Sequence, residues 1–299
     1  MLHKELIYVV GNPTVDVLIH EDGKERKYYG GTAVYASMAA RKLGAEVRIL
    51  ANGGRCVRAI LRDAGVDVSH YREFRRYAKV TNIYSGVDKM MFAKNGKSIT
   101  IDQFPEDIYC CDGVLIGPTL GEVDLAAANI AHGPLFVADL AGFLRQVCPQ
   151  TGCVRLNVSD NLYEAIKAIH IVKCNREEAF ALTGEPDPRR ACVCLRDMTT
   201  NIAVVTVDFE GAYVCSEGEP RWIPAYPTHI VDPTGAGDVF AAALLVWFIY
   251  CQDIYESAFF ACAAASFIVE GYGFQKLGNL QEVMDRMISL RSLAKSLYM

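Results

Sequence analysis

The chain has 299 residues, 52% of them apolar and 22% charged, which is enough hydrophobic material for a large core and excludes both a disordered protein and a disulfide-stapled miniature. Thirty Lys plus Arg against 35 Asp plus Glu give a formal charge of −5 without a basic block, so nucleic acid is excluded as the main partner. Eleven cysteines without a Cys-x-x-Cys spacing point to buried thiols rather than a zinc or redox centre.

Short apolar runs bounded by turn residues alternate with helical periodicity, the pattern of βαβ units around a mostly parallel sheet. In chain order the spacing predicts a strand over 6–10, then a strand and its return over 15–29 around the turn Glu21-Asp22-Gly23-Lys24. A helix over 32–43, closed by Gly44, leads to a strand over 47–51 and a helix over 55–64. Residues 80–101 read as β-rich runs turning at Tyr84-Ser85-Gly86 and at Lys94-Asn95-Gly96-Lys97. Strands follow over 113–116, 135–138, 169–173 and 203–207, with helices over 123–131, 160–168 and 176–183, the last closed by Gly184.

Residues 239–250 form the most apolar segment, shorter than the roughly 20 residues of a membrane span, and read as a buried helix with no membrane role. Met1-Leu2-His3-Lys4-Glu5 runs into a strand without a cleavage site, so the expected compartment is the cytoplasm. A bridge such as Cys148 with Cys153, or one using Cys110 or Cys111, is the alternative to free thiols if the source is a hyperthermophile. Without a repeat or long linker, residues 1–299 are expected to form one domain. The segments 15–30 and 78–104 are read as a small β lid beside the carboxyl ends of the core strands.

The chemistry concentrates in Asp232-Pro233-Thr234-Gly235-Ala236-Gly237-Asp238, ahead of the apolar helix. Small residues at a helix mouth let the N–H groups of Gly235, Ala236 and Gly237 converge on one spot, where the helix dipole favours an anion. A carboxylate directly after such a cradle repels phosphate unless it has another task. General base for an attacking hydroxyl is such a task for Asp238, and an ordinary helix N-terminal carboxylate is the alternative.

This segment closely resembles the C-terminal signature of the ribokinase-like (PfkB) carbohydrate kinases, and the resemblance covers nearly the whole chain. Gly11-Asn12-Pro13-Thr14-Val15-Asp16 looks like the end of that family's first strand, and Gly30-Gly31, opening the helix that ends in Arg41-Lys42-Leu43-Gly44-Ala45, looks like its double-glycine signature. Lys173-Cys174-Asn175-Arg176-Glu177-Glu178 looks like its Asn-x-x-Glu motif, and residues 205–211 look like its Thr-x-Gly-x-x-Gly turn.

The resemblance implies a ribokinase-like three-layer α/β/α sandwich with a mostly parallel central sheet and a small β lid. It also implies an ATP-dependent kinase acting on a hydroxyl of a small polyol: a sugar, a cyclitol such as inositol, or a nucleoside. The alternative is a non-catalytic polyol- or nucleotide-binding relative. By the same resemblance, Asn12, Asp16, Gly30 and Gly31 line the acceptor side, with Tyr35 in place of a family Asn; Asp139 and Arg145, which follow a core strand, are read as further lining of that side. Asn175 and Glu178 organise Mg²⁺ through water, and Thr206, Asp208, Gly211, Gly235 and Gly237 border the nucleotide. Asp232 and Thr234 resemble positions that hold a monovalent cation such as K⁺. A homodimer paired through the lid would cover Ile83, Met90, Met91 and Phe92.

Alternatives stand beside these roles. Asn175 and Glu178 also satisfy a capping box, and Asp139 with Arg145 also suits a structural ion pair, unless Arg145 meets a substrate phosphate. Two residues depart from the family pattern: Tyr35 stands where many relatives carry Asn, and Asp208 where the turn usually has Gly. The loop Asn52-Gly53-Gly54-Arg55 also lacks the acidic residue often found there.

Overall fold

The computed structural model describes residues 4–19, 23–75, 78–85, 88–124, 133–199 and 201–297. Its strands are β1 (Leu6–Val10), β2 (Thr14–Ile19), β3 (Glu25–Gly30), β4 (Glu46–Gly53), β5 (Asp67–Glu73), β6 (Ala78–Ser85), β7 (Asp88–Lys94), β8 (Gly113–Ile116), β9 (Leu135–Asp139), β10 (Arg145–Val147), β11 (Val154–Leu156), β12 (Ile171–Asn175), β13 (Ile202–Val207), β14 (Gly211–Cys215) and β15 (Arg221–Pro224). The α-helices are α1 (Thr32–Lys42), α2 (Arg55–Asp63), α3 (Ala141–Leu144), α4 (Asp160–Ile166), α5 (Arg176–Thr183), α6 (Pro188–Thr199), α7 (Ala236–Cys251), α8 (Ile254–Ile268) and α9 (Leu280–Leu297).

Strand β1 explains the layering. Its alternate residues go to opposite faces, so Ile7 and Val9 join the core beneath α1, α7 and α8, while Tyr8 and Val10 join the core that holds Leu162, Leu182 and Leu195 of α4, α5 and α6. A strand buried on both faces belongs to the centre of a sheet covered twice. Accordingly β1 lies inside a nine-stranded sheet of order β15-β14-β13-β12-β9-β8-β1-β4-β5. The pairs from β12–β13 through β4–β5 are parallel, and β13–β14 and β14–β15 are antiparallel. The α/β sandwich with a mostly parallel sheet is therefore the observed fold.

Helix α7 is apolar all round because it is a core helix. Residues 239–246 are all buried. A side chain on Gly113 of β8 would stand 2.7 Å from Leu245 Cδ1, so the sheet tolerates this helix only at close range. Among the described residues no helix is long and apolar enough to cross a membrane.

A separate four-stranded sheet, ordered β3-β2-β6-β7, holds the two antiparallel segments. Buried polar groups hang it on the core. Asn12 Nδ2 donates to Lys97 O (2.6 Å), Asn12 Oδ1 accepts from Asn52 N–H (2.7 Å), and Asn52 Nδ2 donates to Ser98 O (2.7 Å). Met91 does not face outward as an exposed edge residue would. It packs with Ala78, Val80 and Leu120, whereas Met90 is 54% exposed. The open side of β7 is partly taken by the β10–β11 hairpin, through the bridge Phe92–Cys153 and the bond from Ala93 N–H to Gly152 O (2.7 Å).

Several boundaries move. β12 starts at Ile171 because Ala168 and Ile169 still turn back onto the end of α4, their N–H groups bonding Ala165 O and Ile166 O. The helix expected over 123–131 and the turn residues Glu21, Asp22 and Gly86 lie largely outside the described residues. All eleven cysteines are free thiols. Cys148 and Cys153 face each other through a backbone bond of 2.9 Å and form no bridge.

Candidate active site

The mouth of α7 opens where the carboxyl ends of the central strands converge, the usual ligand position in an open α/β sheet. Gly235 caps the helix with φ 87°, a left-handed angle that glycine adopts freely, and a Cβ there would meet the Tyr35 ring at 2.6 Å. Asp238 lies in the first turn, and its Oδ1 accepts from Thr32 Oγ1 at 2.5 Å. Burial and the nearby Asp139 carboxylate raise the Asp238 carboxyl to about 7, against the opposing pull of Thr32, Lys173 and Arg145. A partly buried carboxyl poised there is suited to taking up a proton near neutral pH.

Thr32 begins α1 directly after Gly30-Gly31, so this bond joins the double glycine to the mouth of α7. Gly30 is pressed against Asp16. A Cβ on Gly30 would stand 1.9 Å from Asp16 Oδ2 and 2.9 Å from the Tyr35 ring. Asp16 is 4% exposed, and its Oδ1 accepts from Thr14 Oγ1 at 2.5 Å. Tyr35 is 1% exposed, and its buried hydroxyl faces the Asp16 carboxylate. Burial and the carboxylates of Asp16, Asp232 and Asp238 push that phenol far above its usual value.

Asp232 is likewise buried. Its Oδ1 accepts from Thr234 N–H (3.0 Å) and Thr234 Oγ1 (2.7 Å), while Oδ2 has no hydrogen-bond partner among the described residues.

Beneath the helix mouth lies a second set of charges. Lys173 Nζ donates to Asp139 Oδ2 at 2.7 Å, and Asp139 Oδ1 accepts from Ala141 N–H at 3.1 Å. Arg145 reaches Thr119 O (3.3 Å) and Glu178 Oε1 (3.5 Å). The structural pair suggested for Asp139 and Arg145 is thus not formed, because each has a nearer partner of opposite polarity. Burial pushes the Glu178 carboxyl up, with Arg145 opposing it.

Asn175 and Glu178 make a reciprocal capping box at the start of α5: Asn175 Oδ1 accepts from Glu178 N–H (2.8 Å), and Glu178 Oε2 accepts from Asn175 N–H (2.9 Å). Thr206 Oγ1 donates to Cys174 O (3.3 Å). Asp208 keeps a glycine-like angle, φ 42°, with its side chain exposed, because Asp enters the left-handed region more readily than most residues. Gly211 packs closely on β15, where a Cβ would stand 2.1 Å from Ile223 O. Asn12 is fully buried, and its side chain is engaged in holding the small sheet.

The reading of the sequence assigns no role of its own to three buried polar residues at the site. Thr32 carries no signal beyond following two glycines. Lys173 is a charge inside the apolar run of β12, the kind of interruption that a search for buried polar positions would find. Glu122 is buried and accepts from the N–H groups of Asn12 (3.1 Å), Thr119 (2.9 Å) and Leu120 (2.7 Å), a role set wholly by the folded loop.

Residues 137–279 match the family model described as pfkB family carbohydrate kinase. The cytidine kinase of Thermococcus kodakarensis is 24% identical over 281 residues, covering 89% of this chain and 97% of that protein. The aminoimidazole riboside kinase of Salmonella typhimurium is 24% identical over 319 residues, covering 97% of each. Among solved structures, a pyrophosphate-dependent kinase in the ribokinase family, complexed with a pyrophosphate analog and myo-inositol, superposes with a TM-score of 0.80 at 24% identity, over 94% of this chain and 99% of the other. The nucleoside kinase of Methanocaldococcus jannaschii gives a TM-score of 0.75 at 21% identity, over 95% and 98%.

Proposed function

Because the chain belongs to the ribokinase-like (PfkB) family of carbohydrate kinases, we propose that it transfers the γ-phosphoryl group of ATP to a hydroxyl of a small polyol: a sugar, a cyclitol such as inositol, or a nucleoside. The observation that carries this reading is the shared wall made by Tyr35. Its ring lies against Gly30, beside Asp16, and against Gly235, at the head of the anion cradle. An acceptor held by Asp16 would therefore adjoin a phosphoryl group held at the helix mouth.

In this reading Asp16 accepts hydrogen bonds from the acceptor, and the buried Tyr35 hydroxyl stands beside that carboxylate. Asp238 takes the proton of the attacking hydroxyl. The N–H groups of Gly235, Ala236 and Gly237 receive the charge that develops on the transferred group. The small sheet closes over the acceptor and excludes water that would otherwise accept the phosphoryl group. Asp208 and Thr206 border the donor.

Among the described residues no group of three or more His, Cys, Asp or Glu is placed to hold a metal directly. Mg²⁺ suits such a site as a hydrate bridging to donor phosphates. One Asn175 oxygen and one Glu178 oxygen are tied into the helix cap, while Glu178 Oε1 is shared with Arg145 at 3.5 Å and has capacity left for a water of the ion. When bound, Mg²⁺ would neutralise the β and γ phosphates. The unpartnered Asp232 Oδ2 fits a monovalent cation such as K⁺, with Thr234 beside it.

The test is a coupled ADP-release assay with ribose, fructose, inositol, nucleosides and phosphorylated sugars as acceptors. Pyrophosphate is run as a second donor with phosphate release as its readout, since one solved relative is pyrophosphate-dependent. Turnover with one acceptor class supports the reading. Silence across the panel from a protein that still binds ATP makes it a binding protein instead.

A further inference from the structure

All eleven cysteines are free, and two of them stand opposite each other across one turn. β10 and β11 pair with Arg145 opposite Leu156, Gln146 opposite Arg155 and Val147 opposite Val154, so the next residues to face each other are Cys148 and Cys153. Cys148 N–H donates to Cys153 O at 2.9 Å and Gly152 N–H to Cys148 O at 2.8 Å, which keeps both arms in register up to the turn Pro149-Gln150-Thr151. Directly opposed residues of this hydrogen-bonded kind have Cα atoms about 5.5 Å apart, inside the span of about 4.4–6.8 Å that a disulfide bridges. Joining the two sulfurs therefore needs side-chain rotation and no new backbone path.

Alternation along the strands sends Cys148 and Cys153 to the face opposite Val147 and Val154, which pack against Ala78, Val80 and Leu120. Both thiols are half-buried and open to a small reagent, unlike Cys174, Cys192, Cys215 and Cys262 in the core. Burial pushes the Cys174 and Cys262 thiols up, whereas the Thr151 hydroxyl beside Cys148 holds its thiol below the usual value. The hairpin is also a strut. At its root Arg145 reaches Thr119 O and Glu178 Oε1 in the candidate site. At its tip Gly152 O accepts from Ala93 N–H at 2.7 Å, and Cys153 bridges to Phe92 of β7, the edge of the small sheet.

We propose that Cys148 and Cys153 are a redox-active dithiol, converted by low-molecular-weight disulfides into an intramolecular bridge that fastens the β10–β11 strut to the edge of the small sheet. The Cys148 thiolate attacks one sulfur of a reagent such as oxidised glutathione, forming a mixed disulfide as the first glutathione thiolate leaves. The Cys153 thiolate then attacks Cys148 Sγ, forming the internal bond and expelling the second glutathione thiolate. The protons lost by the cysteines go to the two glutathione thiols, so two protein thiols are oxidised as one glutathione disulfide is reduced. With the arms joined, Gly152 and Cys153 leave β7 only together with β10, so opening of the Ala93 bond becomes rarer. Neither cysteine belongs to the candidate site, and the bridge forms whether or not the chain transfers phosphoryl groups.

The test exposes the full chain to oxidised glutathione, with dithiothreitol-treated protein as the control, then alkylates in denaturant and digests with trypsin. Cleavage after Arg145 and Arg155 releases residues 146–155 as one peptide that holds Cys148 and Cys153 and no other cysteine. Expected is that peptide unalkylated and lighter by two hydrogens, with Cys174 and Cys262 still alkylated. C148S and C153S should instead carry a single glutathione on the remaining thiol. Hydrogen exchange of the Ala93 amide should slow roughly tenfold in the oxidised wild type, recover on reduction, and keep the unoxidised rate in C148S after the same treatment. Two alkylated thiols in the 146–155 peptide, or a glutathione on each, would overturn the proposal, as would a bridge that leaves Ala93 exchange unchanged.

Discussion

Thr32 Oγ1 donates to Asp238 Oδ1 at 2.5 Å, across 206 residues of sequence, and so links the residue after the double glycine to the carboxylate proposed as base. A donor on a carboxylate favours its charged form, so Thr32 holds down a carboxyl that burial pushes up. In Thr32→Val, which keeps the shape but not the donor, the acid limb of kcat/KM should move to higher pH. Turnover near pH 7 should fall about tenfold, the worth of a hydrogen bond to a charged group. A pH–rate profile superimposable on wild type would deny the bond a role in tuning Asp238.

Asp238 has to be ionised to accept a proton. With its carboxyl at about 7, wild-type turnover should rise as pH rises through that value and level off above it. Asp238→Asn should lose two or more orders of magnitude in turnover and keep donor affinity.

The same shift makes a stability statement of opposite sense. Between the unfolded value near 4 and about 7 the native state binds the extra proton, so this group's contribution to stability falls as pH rises through that window. Asp238→Asn should therefore resist denaturant better than wild type at pH 8, with the gap narrowing towards pH 4. Urea titrations at the two pH values check it, and a gap that is constant or reversed removes the burial argument.

Gly30 leaves room for Asp16 Oδ2 at a point where a Cβ would sit 1.9 Å away. Gly30→Ala must displace that carboxylate, and a misplacement of about 1 Å at a reacting geometry costs roughly 10²-fold. Acceptor kcat/KM should fall by about that factor while donor affinity holds. Loss confined to the donor side would mean that Asp16 does not face the acceptor.

Asp208 holds φ 42° with its side chain in solvent. Asp208→Gly relieves a left-handed angle that L-residues occupy at a cost, partly offset by the greater freedom of the unfolded chain, so a net gain of up to about 1 kcal/mol is expected. If residue 208 borders the donor as proposed, removing its carboxylate should also lower donor KM severalfold at low salt and less at high salt. A donor KM indifferent to both the variant and salt would place residue 208 away from the phosphates.

Legibility followed burial and period. The strands at 6–10 and 113–116 and the helix at 176–183 were read at their observed limits, because doubly buried strands and a capped helix leave local marks in composition. The antiparallel pair β14 and β15 was not read as strand, since Asp208 to Gly211 carries a motif resemblance that says nothing of the edge built after it. α8 also went unread, although Asp253 caps it by accepting from the N–H groups of Tyr255 and Glu256. Its apolar surface has no helical stripe because it is enclosed on several sides.

The order of amino acids suffices for the layered α/β class, for the glycine-rich helix mouth and for the carboxylate that follows it. These depend on interactions within a few residues: strand alternation, small side chains and a helix dipole. The partners of those groups come from contacts between segments far apart in the chain, which only packing brings together. Thr32 meets Asp238, Tyr35 spans Gly30 and Gly235, and Lys173 rather than Arg145 takes Asp139, because the carboxyl ends of β9 and β12 converge on the amino end of α7. Burial at that convergence, rather than the identity of residue 238, is what lifts its carboxyl towards neutrality.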